Sequence, residues 1–134
     1  MSVSLEGLLA EASELAQAAG SMTLDWFRRS SLTVESKMDG SEVTEADRVA
    51  ERFIRDELKT RHPSHLVVGE EEGGSFESGN LTWIIDPIDG TRGFVRGVPL
   101  YATLLAVVDD SGPLVGVIYV PALNSTVAAA RGSG

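Results

Sequence analysis

The chain has 134 residues, 43% of them hydrophobic and 23% charged, enough apolar material for one buried core and too much for a disordered tract. Asp and Glu number 20 against 11 Lys and Arg, a net charge of −9, which argues against the sequence-independent nucleic-acid binding that cationic side chains sustain. Cysteine is absent, so disulfides and thiolate metal sites are excluded.

In chain order, Leu5, Leu8, Leu9, Ala12, Leu15, Ala16 and Ala19 recur at helical spacing, with Glu6, Glu11 and Glu14 among the positions between them. This predicts an amphipathic helix running towards Trp26 and Phe27, with Gly20 a weak point inside it. Lys37 to Ser41 is polar, and Asp39-Gly40 signals a turn. A second helix is expected from about Thr44 to Arg61, burying Val49, Ala50, Phe53, Ile54 and Leu58 and closed by Pro63. Beyond it, Leu66-Val67-Val68 and Trp83-Ile84-Ile85 are short apolar runs bounded by acidic or glycine-rich loops, as buried strands are. Leu100 to Val108 and Leu114 to Val120, joined by Asp109-Asp110-Ser111-Gly112-Pro113, read as a hairpin, and Thr126 to Ala130 as one more strand. Two helices followed by a sheet imply an α+β or layered α/β arrangement. Val98 to Val108, the longest apolar run, is too short to span a bilayer and contains Pro99 and Thr103. The N-terminus lacks a basic segment leading into a hydrophobic one, so a cytoplasmic protein with no membrane partner is expected. Arg131-Gly132-Ser133-Gly134 would serve better as a turn than as a terminus, a hint of a longer polypeptide.

The chemistry concentrates in carboxylates placed directly after apolar strands: Glu70, Glu71 and Glu72 after the first, Asp86 and Asp89 after the second. Ligand sites in α/β sheets gather at the carboxyl ends of strands. If the two strands are parallel neighbours, these acidic ends converge. Two unit charges about 5 Å apart repel by roughly 3 kcal/mol at an effective dielectric of 20, so such a cluster calls for cations or protons. An oxygen-only donor set, with two His and no Cys in the chain, favours a hard cation such as Mg²⁺. For Glu70 to Glu72 taken alone, a solvated acidic loop is the rival reading.

Asp86-Pro87-Ile88-Asp89-Gly90-Thr91 is more specific. It reads as a loop with two carboxylates three apart, a restraining Pro87, a Gly90 that allows a tight turn and a hydroxyl on Thr91; a helix starting here would offer free N–H groups to a phosphate. The bland alternative is a surface turn. An EF-hand loop is excluded by spacing: with Gly90 as its glycine, Ile85 and Pro87 occupy ligand positions, and with Gly40, Lys37 does. An aspartyl-nucleophile motif of the Asp-x-Asp-x-Thr type fails at Pro87. Thr44-Glu45-Ala46-Asp47 fits a capping box, which gives Asp47 a structural role at a helix start.

Val43-Thr44-Glu45-Ala46-Asp47, Gly69-Glu70-Glu71 and Trp83-Ile84-Ile85-Asp86-Pro87-Ile88-Asp89-Gly90-Thr91 together resemble the motifs of the inositol monophosphatase family of lithium-sensitive, Mg²⁺-dependent phosphatases, in that family's order and separations. The resemblance runs from about Leu5 to the end and is nearest to the histidinol-phosphate phosphatase branch, on Gly93 to Pro99 followed by Tyr101 to Leu105. It implies the layered α/β sandwich of the sugar phosphatases, of which this would be the N-terminal portion: two helices and a mainly antiparallel sheet. It implies two or three Mg²⁺ ions, inhibition by lithium, a small phosphorylated metabolite as substrate and a homodimer at full length. By resemblance, Glu70, Asp86 and the carbonyl of Ile88 hold the first ion, Asp86 and Asp89 the second, and Glu71 lies near a third. Gly90 and Thr91 bind phosphate, and Asp47 with Thr91 activates water. Asp47 can serve as cap and catalyst together.

Some positions depart from the family pattern. Gly93 stands where Asn is common and Glu42 where Pro is frequent. Arg96 could touch substrate or be a solvated side chain. Family members are about twice as long, and their second half adds a C-terminal α/β domain carrying a Trp-Asp motif that completes the second ion site. Neither Trp26 nor Trp83 precedes an Asp. A non-catalytic module that binds metal, phosphate or a partner chain is therefore the competing reading. His62 and His65, flanking Pro63 near a helix end, are expected at the surface rather than as ligands.

Overall fold

The computed structural model describes residues 4–27, 34–36 and 42–133, so the predicted turn at Asp39-Gly40 lies outside the described residues. Helix α1 spans Leu5–Thr23 and is capped by Ser4, whose hydroxyl accepts from the Gly7 amide at 3.0 Å. Leu8, Ala12, Leu15, Ala16 and Ala19 form its buried stripe. It stops short of Trp26 and Phe27, which lie in turns beyond it. Gly20 is a packing position rather than a weak point: a Cβ there would come within 2.5 Å of the Tyr119 ring.

Strands β1 (Val34–Ser36) and β2 (Glu42–Thr44) pair antiparallel, an element the sequence pattern did not reveal. Helix α2 spans Glu45–Arg61, buries Ala46, Ala50, Ile54 and Leu58, and starts from the predicted capping box. Next come β3 (Leu66–Gly69), β4 (Thr82–Asp89), the short helix α3 (Thr91–Val95), β5 (Ala102–Asp109), β6 (Gly112–Val120) and β7 (Ser125–Ala130). Five of these strands form one sheet in the order β3-β4-β5-β6-β7. The β3–β4 pair is parallel and the remaining pairs antiparallel.

Three boundaries differ from the sequence reading. Strand β4 does not end at Ile85 but runs on to Asp89, so Asp86 and Asp89 lie within the strand rather than in a loop after it. It continues because Asp86 still pairs with Leu104 and Asp89 with Ala102; a bulge between them absorbs Pro87, which has no N–H for a ladder bond. Strand β5 begins at Ala102, not Leu100, because the Val98 amide closes the end of α3 by donating to the Gly93 carbonyl at 2.8 Å. The hairpin turn is tighter than expected, with Asp109 in register with Gly112; Asp109 Oδ1 accepts from the Ser111 amide at 2.8 Å and shapes the turn.

Both long helices cover one face of the sheet. Their apolar stripes meet Trp83, Ile85, Leu105, Val107, Val115, Val117 and Tyr119 in the main core. A smaller cluster of Ala46, Ile88, Phe94 and Tyr101, with Phe27 against it, sits beneath the start of α2 and the end of β4. The opposite face of the sheet presents Ile84, Leu104, Ile118 and Val127 around a shallow hollow, and Ile118 and Val127 are exposed.

Candidate active site

Parallel pairing brings the two acidic strand ends together. Gly69 is in register with Ile85, and the ladder continues one residue further, where the Glu70 amide donates to the Ile85 carbonyl at 3.3 Å. Glu70 thus starts beside Asp86. The helix-facing side of β3 at this point is occupied: a Cβ on Gly69 would fall 2.4 Å from the carboxyl carbon of Glu51 on α2.

The third contribution comes from the start of α2. Asp47 is buried, and its two carboxylate oxygens have different partners. Oδ2 accepts from the Thr44 amide and the Thr44 hydroxyl, both at 2.8 Å, which completes the cap. Oδ1 accepts from the Thr91 hydroxyl at 3.2 Å, which ties α2 to the first residue of α3. Thr91 Oγ1 also lies 3.1 Å from the Ile88 carbonyl, so its single proton has two acceptors. Gly90, between β4 and α3, adopts φ 90°, ψ 42°, a left-handed conformation that glycine enters without steric cost. Its chain reversal places Thr91 against Asp47.

The electrostatic consequence falls on Asp86. Burial, followed by the charges of Glu70, Asp89, Asp47 and Glu71, pushes its carboxyl up to about 7. Acidic groups from α2, from the turn after β3 and from β4 therefore act on one carboxyl group. Oxygen donors crowded by negative charge fit a hard divalent cation. Among the described residues, however, no three or more acidic or His side chains are gathered closely enough to form a ready-made cage.

The sequence pattern of the inositol monophosphatase family matches residues 4–134. The chain belongs to this family of metal-dependent phosphatases. It is 48% identical over 121 residues to a histidinol-phosphatase of Chlorobaculum parvum, covering 90% of this chain and 47% of that protein. It is 38% identical over 135 residues to an inositol monophosphatase 3 of Solanum lycopersicum, covering 98% and 50%. The solved structure of a Thermotoga maritima IMPase matches it with a TM-score of 0.87 at 39% identity, over 95% of this chain and 49% of that one. The layered α+β fold expected from the motifs is therefore that of the inositol monophosphatases. The chain spans about half the length of the curated relatives it matches.

Other expectations fare differently. Glu72 is no loose loop residue; it pairs with Arg52 at 2.6 Å. Arg96 is exposed, with Nη1 donating to the Arg92 carbonyl at 3.0 Å. His62 and His65 are half-buried at the surface and bonded to neighbours rather than freely solvated. Their rings stack at 4.3 Å, His62 Nε2 meets Glu11 at 2.7 Å, and His65 Nδ1 accepts the Trp83 indole N–H at 3.0 Å. The residue the sequence reading missed is Glu51, fully buried beneath the Glu70–Glu72 turn. Its only signal was a carboxylate four residues after Asp47, near an otherwise apolar helix face.

Proposed function

We propose that this chain contributes to a Mg²⁺-dependent phosphomonoesterase site that hydrolyses a small phosphate ester, with histidinol phosphate and inositol monophosphate the leading substrates. The observation that carries this reading is the convergence of separately placed acidic residues on the buried Asp86, whose burial and charged neighbours together raise its carboxyl to about 7. A solvated acidic loop would not produce it. The names of the relatives, histidinol-phosphatase and inositol monophosphatase, support the substrate class.

In this reading Glu70, Asp86, Asp89 and the Ile88 carbonyl hold two ions, and Glu71 stands near a weaker third, with lithium inhibiting. When bound, the ions offset the negative charge of carboxylates and phosphate and make water more acidic. The chain's own residues do the rest. Gly90 and Thr91 seat the phosphate. Thr91 Oγ1 takes a proton from the attacking water as it passes its own proton to Asp47 Oδ1, the acceptor 3.2 Å away. Water oxygen then bonds to phosphorus as the bond from phosphorus to the ester oxygen breaks; the departing oxygen takes a proton from solvent water to become the alcohol, and Asp47 returns its proton to solvent. The Thr44 donors hold the other Asp47 oxygen and so aim the carboxylate at Thr91.

The same reading makes residues 1–134 the N-terminal domain of a homodimeric phosphatase about twice this long. A second domain would cover the apolar sheet face at Ile84, Leu104 and Ile118. The test is phosphate release from a panel of phosphomonoesters with Mg²⁺. Turnover that disappears in Asp86→Asn and Asp89→Asn supports the proposal. Absence of turnover in the intact protein, with Mg²⁺ binding retained, would replace the enzyme by a non-catalytic metal-binding module.

A further inference from the structure

Glutamate is among the residues least often fully buried, yet Glu51, in the second turn of α2, has no exposed surface. Three donors converge on its carboxylate. Oε1 accepts the Glu71 amide at 2.9 Å, Oε2 accepts the Glu72 amide at 2.8 Å, and Arg55 Nε donates to Oε2 at 3.0 Å. The Arg55 guanidinium also reaches the Gly73 carbonyl. The Glu70–Glu72 turn is closed by two reciprocal backbone bonds between Gly69 and Gly73, each 3.0 Å. Its Glu71 and Glu72 amides point inward at Glu51, which fixes the backbone from which the outer side chains project.

Gly69 follows from the same contact. All three carboxyl atoms of Glu51 lie 2.4–2.6 Å from where a Gly69 Cβ would be, so the carboxylate reaches the turn amides only across a residue without a side chain. Glu51 and Asp47 are four residues apart on α2, on one side of the helix. One rigid element thereby reaches Thr91 with the first carboxylate and the Glu70 turn with the second.

We propose that Glu51 is a positioning residue. It acts through the Glu71 and Glu72 amides to hold Glu70 beside Asp86 in the geometry that takes a divalent cation. The ligand role of Glu70 rests on the function proposed above; the anchoring of the turn does not. A purely structural role, an ion pair with Arg55 filling a polar gap, would be satisfied by one carboxylate oxygen and would leave the turn indifferent.

The test uses Glu51→Gln, which keeps the shape but turns an NH₂ group towards a donor, and Glu51→Asp, which keeps the charge but falls short by one methylene. Mg²⁺ titration calorimetry and amide hydrogen exchange are the readouts. Both variants are expected to weaken Mg²⁺ binding by about 10- to 100-fold, the usual effect of removing a residue that orients a ligand. Both should speed exchange at Glu71 and Glu72 selectively over the α1 and β5–β6 amides. Glu57→Gln, elsewhere on α2, should change neither. Should either Glu51 variant fail to fold, Gly69→Ala displaces the intact carboxylate and is expected to give the same pattern. A folded variant with Mg²⁺ affinity within twofold of the parent and unchanged exchange at the two amides overturns the proposal. A parent chain with no Mg²⁺ affinity defeats the functional reading instead, and the exchange data then decide the anchoring alone.

Discussion

Asp47 shows how one side chain carries two roles. Its Oδ2 satisfies the start of α2 and its Oδ1 meets Thr91, so the two can be separated by mutation. Asp47→Ala is expected to cost about 1 kcal/mol of stability in urea melts, the usual effect of a lost cap, and, under the proposed function, to abolish phosphate release by the intact protein. Thr91→Val should abolish phosphate release with a smaller stability loss. Equal stability losses in both variants would refute this division. Asp86 makes a prediction about pH. Its folded-state carboxyl is raised from an ordinary 3.8 to about 7, so the folded protein holds a proton that the unfolded chain releases. The stabilisation is fully present below about 4 and is lost as pH rises to about 7. In the metal-free chain, Asp86→Asn should flatten that part of the stability–pH curve; an unchanged slope counts against the crowding of charge around Asp86. The capping box was legible in the sequence because it is local. The Asp47–Thr91 contact was not, because it joins residues 44 apart.

Among elements, the site depends on one parallel strand pair and on the helix behind it. The acidic ends were legible as charges following apolar runs. Their convergence required β3 and β4 to be parallel neighbours, which local pattern cannot specify: short apolar runs carry no sign of direction. Strand β4 was read as too short because Asp86, Pro87 and Asp89 look like turn residues, and only the ladder to β5 keeps them extended. The contacts of half-buried His62 and His65 went unread for a related reason. Pro63 between them signals an exposed turn, but the Trp83 indole below offers a buried donor. Burial, with a smaller effect from His62, lowers the pKa of His65 below the ordinary 6.5. The unfolded chain therefore takes up that proton first, and the contribution of His65 is present above about 6.5 and lost on acidification. Protonation also removes the acceptor for Trp83. His65→Leu should destabilise by about 1–3 kcal/mol, the cost of an unsatisfied buried N–H, and should abolish the acid-induced change in the Trp83 indole resonance. Persistence of that change assigns it elsewhere.

For the whole molecule, a net charge of −9 and the acidic groups acting on Asp86 make divalent cations natural stabilisers. Mg²⁺ at about 100 times its Kd is expected to add about 2.7 kcal/mol by mass action, seen as a rise in Tm that Asp89→Asn reduces and monovalent salt at equal ionic strength does not reproduce. Loss of that difference would leave only general screening. No helix among the described residues is long and apolar enough to cross a membrane. What the amino-acid sequence determined by itself was whatever depends on neighbours a few positions apart: the helix stripes, the cap at Thr44, the hairpin, and the family motifs around Glu70 and Asp86. What only the tertiary structure decided were the relations between distant segments: that β3 runs parallel to β4, that Asp47 reaches Thr91, and that Glu51 lies under the Glu70 turn across Gly69. Periodicity records which face of an element is buried, whereas partner, direction and register follow from packing the whole core at once.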